Sequence, residues 1–184
     1  MVNPREALHL LRVHSDIMNA LQRTPETARA SGLPLLLLIA EALEGASPLS
    51  TANDAELVIF SGHDSNIANI AGLLDLHWDG GQFPEDSIPP GSMLMFRLWL
   101  TPQGHMVQPS FLSQTLAALL STDEDAMSNA AFHEVALALP GATMETPSGL
   151  GMPLKDFARY VGDMAGEDIA SRLDQMFNPK PHPQ

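Results

Sequence analysis

The chain has 184 residues, 45% of them hydrophobic and 17% charged, which is enough apolar material for a real core and argues against global disorder. Nine Lys and Arg against 22 Asp and Glu give a formal net charge of −13. That balance excludes a nucleic-acid binder and a basic membrane-surface helix, both of which need a dense positive face. With no cysteine, disulfides, thiolate zinc sites and cysteine nucleophiles are excluded too, although the compartment is left open.

No stretch reaches the roughly 18 apolar residues of a membrane span. The start, Met1 to Glu6, lacks the basic and then apolar pattern of a secretory leader. From Pro4 to Leu21, the residues Ala7, Leu8, Leu11, Ile17, Met18 and Leu21 recur at helical spacing and predict an amphipathic helix ending at Arg23. Thr24-Pro25-Glu26 is a helix start, with a hydroxyl cap, a proline at the first position and an acid in the first turn. The second helix runs to Leu43, with a kink or short break expected at Gly32 and Pro34, and Gly45 stops it. Gly45 to Asp54 reads as a surface loop.

Leu57 to Phe60 is a short continuous apolar run bounded by a glycine, the pattern of a buried parallel strand. The polar turn Ser61 to Asn66 follows, and Ile67, Ile70, Ala71 and Leu74 resume helical spacing. Strand, polar turn and helix together make the place where open α/β sheets collect ligands, with free helix amides favouring anions. Asp79 to Gly91 is a long loop rich in proline and glycine. Met93 to Leu100 and His105 to Leu112 read as strands joined by a turn at Thr101 to Gly104, and Glu134 to Leu139 as a further short strand. Pro153 to Met164 and Glu167 to Phe177 read as helices, and 178–184 as a disordered tail.

Of the seven histidines, only His63 sits in a suggestive context. A metal site needs several ligands at known spacing, and His9 and His14, five apart, fall on different faces of a helix. A metal-dependent His-Asp phosphohydrolase would hold its dyad inside a helix, whereas here a β-run ends at Phe60. There is no Gly-x-Ser-x-Gly elbow for a serine hydrolase. Taken alone, His63 and Asp64 fit equally well as caps of the following helix.

Three longer stretches carry a resemblance: Ser61-Gly-His-Asp-Ser-Asn-Ile-Ala-Asn-Ile70, Leu76-His-Trp78, and Pro89-Pro-Gly-Ser-Met-Leu-Met-Phe-Arg-Leu-Trp99. Leu21-Gln-Arg-Thr-Pro-Glu-Thr-Ala-Arg29, Gln114-Thr-Leu116 and Gly151-Met-Pro-Leu154 add to it. Together they resemble the C-terminal His-Asp region of the histidine acid phosphatases, in the bacterial phytase and glucose-1-phosphatase branch. The resemblance implies an incomplete, three-layer α/β fold of the phosphoglycerate-mutase-like (histidine phosphatase) type. Residues 1–177 would be the C-terminal part of that domain, contributing helices, a central strand ending at His63 and a hairpin to a mixed sheet whose other strands belong to the missing half.

The implied activity is phosphate-monoester hydrolysis through a phosphohistidine, with phytate or a sugar phosphate as substrate and no cofactor or metal. Asp64 would be the general acid and His63 the group that binds and stabilises the phosphoryl. Ser65 and Asn66 would support the turn, with helix capping as their plainer role. Met18 falls where some members place a pocket-lining aromatic, and a core methionine accounts for it equally well. Arg23 and Arg29 read as helix-end or surface pairing residues rather than phosphate ligands. A periplasmic or secreted location is also implied.

The chain departs from the family in having no Arg-His-Gly-x-Arg-x-Pro motif, so the nucleophile and the phosphate-clamping arginines are not among its residues. A missing N-terminal half would be required for a complete site, and this chain alone is expected to be inactive and prone to self-association. The alternative is a degenerate or truncated paralogue acting as a binding or interaction protein.

Overall fold

The computed structural model describes residues 4–121 and 131–177; the expected tail at 178–184 lies outside them. Helix α1 spans Pro4–Gln22 and α2 spans Pro25–Leu43. The junction is built as its residues dictate. Thr24 is extended, and its hydroxyl accepts from the Thr27 N–H at 3.4 Å. Gly45, at φ 68°, closes α2 by donating to Ala42 while Ala46 reaches back to Glu41, a Schellman arrangement that satisfies the last carbonyls.

The break expected at Gly32 and Pro34 is absent, and α2 is one helix. A proline there costs about 3 kcal/mol. Leu33 and Leu36 are fully buried beside Leu37 and Ala40, and burying each leucine returns about 1.5–3 kcal/mol, so tertiary packing outweighs the lost bond. Gly32 serves close approach instead. A Cβ placed on it would sit 2.7 Å from the Asn69 Cβ of helix α3, Asp64–Leu73.

Strands β1 (Met93–Thr101) and β2 (Gly104–Gln114) form the expected hairpin, in register from Met93 opposite Leu112 to Thr101 opposite Gly104. Gly104 takes φ 109°, a conformation open to residues without a Cβ. After the short helix α4 (Leu116–Leu120), β3 (Phe132–Ala136) pairs with the C-terminal part of β2. Strands β4 (Met144–Thr146) and β5 (Gly149–Pro153) were not foreseen; β5 joins the N-terminal part of β2 through Met106 and Val107. All these pairings are antiparallel, in the order β1-β2-β5-β4 with β3 also on β2. Helix α5 covers Leu154–Phe177 and is interrupted at Gly166 (φ 64°, ψ 178°), so the two helices expected there meet end to end.

Helices α2, α3 and α5 form the helical layer. One core joins Leu33, Leu36, Ile70 and Leu74 to Val107 and Phe111 of the sheet and to Phe157 and Val161 of α5. Trp78 stacks on Phe111 with centroids 4.2 Å apart and planes at 11°, and Phe96 meets Phe157 at 5.8 Å.

The buried parallel strand expected at Leu57 to Phe60 is a correction. These residues form neither helix nor strand, and Leu57 and Ile59 are 73% and 79% exposed. A strand exists only through its neighbours' hydrogen bonds, and none of the five strands pairs with this run. Among the described residues the sheet is antiparallel and holds no strand ending at His63; the strands expected to complete a mixed sheet are those of the missing half.

Candidate active site

His63 is the N-cap of α3, with extended backbone (φ −112°, ψ 167°), and Asp64 is the first helical residue. Both are exposed, whereas Ser65 and Asn66 are half-buried. The Asn66 Oδ1 accepts from the His63 N–H at 2.8 Å, and the Asp64 Oδ1 accepts from the Ser65 N–H at 2.7 Å. Gly62 makes room for this cap, since a Cβ there would lie 2.7 Å from the Asn66 Oδ1. Asn66 thus fixes the backbone that presents His63 and Asp64. The side chains of His63 and Asp64 stand at the end of α3 where unpaired amides and the helix dipole favour an anion.

Helix α3 is held from behind. The buried Asn69 donates through Nδ2 to the Ser65 carbonyl at 2.5 Å and to the Gln22 Oε1 at 3.0 Å, tying α3 to α1. Met18 is half-buried on α1, one turn before Gln22 and so on the same side of that helix. Gly72 abuts the chain at Arg23, where a Cβ would come within 2.8 Å of the Arg23 Cα and carbonyl oxygen.

Arg23 corrects the expectation of a surface pair. Its side chain is 8% exposed and lies 2.9 Å from the Asp86 carboxylate, itself 5% exposed. The guanidinium also donates to the Leu76 carbonyl and lies 5.6 Å from the Trp78 ring centroid. Asp86, at φ 58°, accepts from the Trp78 N–H at 3.0 Å and meets the His77 Nδ1 at 2.6 Å. The Trp78 indole donates to the Ser87 carbonyl at 2.9 Å, and Ser87 meets Ser15 of α1 at 2.8 Å. This network clamps the α1–α2 junction to the loop that follows α3. Sequence reasoning missed it because Arg23 and its partners Leu76 and Asp86 lie more than fifty residues apart, and nothing local to either end signals the pairing.

No group of three or more His, Asp or Glu among the described residues is arranged to hold a metal ion. No described helix is long and apolar enough to cross a membrane.

Residues 6–128 match the histidine phosphatase superfamily (branch 2). The chain belongs to that family. It is 38% identical over 161 residues to the phytase AppA of Escherichia coli, an alignment covering 84% of this chain and 36% of that protein. It also superposes on the phytase of Citrobacter braakii with a TM-score of 0.76 at 31% identity, covering 91% of this chain and 43% of that one. A Hafnia alvei phytase solved in complex with myo-inositol hexakis sulphate aligns at 28% identity and a TM-score of 0.69, over 92% of this chain and 43% of that one. The chain therefore spans little more than a third of the E. coli relative and less than half of the solved phytases. Its α/β architecture is that of the histidine phosphatases over the part it covers, which bears out the expected fold class and its incompleteness.

Proposed function

We propose that this chain supplies the general-acid side of a histidine-type phosphate-monoester hydrolase. The observation that carries the reading is the exposed His63-Asp64 pair at the N-terminal end of α3, held by Asn66, in a chain of the histidine phosphatase family. An alkoxide is a poor leaving group, so a carboxylic acid within reach of the bridging oxygen is worth about 10²- to 10⁴-fold. Asp64 donates that proton and then, as carboxylate, takes one from the water that hydrolyses the phosphohistidine. His63 faces the phosphoryl oxygens and, as an imidazolium, offsets their charge through the transition state. The amides of the first turn of α3 add to the same field. Ser65 and Asn66 support the turn, and Met18 borders the pocket from α1.

The nucleophile and the arginine clamp come from a segment bearing the Arg-His-Gly-x-Arg-x-Pro motif, which this sequence does not contain. That segment also supplies the positive potential that an anionic substrate needs, because residues 31–184 carry nineteen acids against five basic residues. Residues 1–177 form the C-terminal part of the phosphatase domain. The substrate class is a small phosphate monoester such as phytate or a sugar phosphate, and the setting is the periplasm or outside the cell.

The test is p-nitrophenyl phosphate hydrolysis near pH 5, with and without chelator. One sample is this chain alone, and the other is the same chain joined to the part of the E. coli phytase outside its alignment. Chelator-insensitive turnover by the joined protein alone is expected. Turnover abolished by chelator would point to a metal-dependent dyad, and full turnover by the isolated chain would overturn the division of labour proposed here.

A further inference from the structure

We propose that Asn69 is a positioning residue for the general acid: its side-chain amide locks the first turn of α3, and with it Asp64, to α1. The inference rests on the general-acid reading of Asp64 given above. Asn69 is 1% exposed, in a helix whose other buried residues, Ala68, Ile70 and Ala71, are apolar. Its Nδ2 places one proton on the Ser65 carbonyl at 2.5 Å and the other on the Gln22 Oε1 at 3.0 Å. Both partners are acceptors, so the amide nitrogen has to face them, and the Oδ1 is left buried with no partner among the described residues. A buried acceptor without a donor is destabilising. Stability alone therefore gives no reason for an amide at this position; the reason lies in what its two protons hold.

One proton holds the turn that carries the candidate site. Ser65 directly follows Asp64, and the first turn of a helix is where backbone hydrogen bonding is least complete. The other proton holds a helix that does not give. Helix α1 is pinned to the loop after α3 by Ser15 on Ser87 at 2.8 Å and by Arg23 on Asp86 at 2.9 Å. Asn69 cannot swing away, because α2 passes so close that a Cβ on Gly32 would sit 2.7 Å from the Asn69 Cβ. A general acid works within about 2.6–3.2 Å of the oxygen it protonates, and a misplacement of about 1 Å can cost about 10²-fold. Proton donation by Asp64 is thus the event most sensitive to this tie. Departure of a leaving group that needs no proton is the least sensitive.

The experiment compares Gln22→Met, which keeps the length and removes the acceptor, with Gln22→Glu, which keeps an acceptor, and with Asn69→Leu. Gln22 is half-buried, so its variants test the tie even where Asn69→Leu does not fold. In the joined protein described above, kcat/KM is measured on p-nitrophenyl phosphate and on glycerol 2-phosphate, an alkyl ester of the same charge; this quantity reads phosphoryl transfer to the enzyme and not the later hydrolysis. Gln22→Met and Asn69→Leu should each lose about 10-fold on the alkyl ester relative to the nitrophenyl ester, and Gln22→Glu should restore the parent ratio. In this chain alone, backbone order parameters of Ser65 and Asn66 should fall in Gln22→Met from about 0.85 toward about 0.6, while those of Gly72 and Leu73 stay unchanged. Equal losses on the two esters would mean a merely structural role, and unchanged order parameters at Ser65 would mean no hold on the turn; either result overturns the proposal. Asp64→Asn is the reference. If it too falls equally on both esters, the general-acid reading fails and this inference with it; if it is selective for the alkyl ester and Gln22→Met is not, only the inference fails.

Discussion

Replacing Asp86 by Asn tests the buried clamp behind the candidate site. The substitution keeps the shape, the tolerance of Asn for φ 58° and an oxygen for the Trp78 N–H, and removes the charge that faces Arg23 at 2.9 Å. The Arg23 side chain is only 8% exposed, so its cation is left largely uncompensated. Breaking one partner of such a buried pair costs about 3–5 kcal/mol. At about 2–4 °C per kcal/mol for a chain of this size, the midpoint should fall by roughly 6–20 °C. Thermal melts followed by near-ultraviolet circular dichroism read the loss directly, since Trp78, stacked on Phe111, contacts the clamp through the Arg23 guanidinium and the Asp86 carboxylate. Arg23→Met in the same background removes the orphaned cation while keeping the stem over Trp78, so the double variant should be less destabilised than the sum of the single ones by about 1 kcal/mol or more. A midpoint for Asp86→Asn within about 3 °C of the parent would refute the claim that the pair is buried and coupled.

Two further outcomes follow from the packing and the charges. Glu41 has its pKa raised, first by burial and then by the neighbouring Glu44, and its Oε2 has no hydrogen-bond partner among the described residues. A raised folded-state pKa means that the charged form is disfavoured in the native protein: its contribution is fully present below the unfolded carboxylate range and is lost as pH rises through the folded value. Glu41→Gln should therefore raise the melting midpoint at pH 7, and the gain should vanish below about pH 4, as a pH series of melts would read. Gly32→Ala gains about 1 kcal/mol of helix propensity but forces a Cβ to within 2.7 Å of the Asn69 Cβ and 3.1 Å of its carbonyl carbon. Overpacking of about 1–3 kcal/mol exceeds that gain, so urea denaturation should find the variant less stable than the parent.

What was legible in the sequence is what short-range rules decide. The α1–α2 boundary, with its Thr24 cap and Pro25, lies where the residues put it, as do the β1–β2 hairpin and the division of α5 at Gly166. The β4–β5 hairpin was hidden because strands of three and five residues leave no periodicity to read. Leu57 to Phe60 has the composition of a strand, but strand formation is decided by a partner rather than by the run itself. The site divides in the same way. His63 and Asp64 stand out from their own surroundings, and Asn66 takes the capping role its side chain suggests. The Arg23–Asp86 pair could not be foreseen, because nothing in the neighbourhood of either residue signals burial of its charge.

The central claim is that Asp64 protonates the leaving group. It is tested most directly by the leaving-group dependence of Asp64→Asn in the joined protein, comparing p-nitrophenyl phosphate, whose leaving group departs readily without a proton, with an alkyl phosphate such as phytate. The account predicts a loss in kcat of about 10²- to 10⁴-fold on the alkyl ester and a much smaller one on the nitrophenyl ester. An equal loss on both substrates, or none on the alkyl ester, would contradict it.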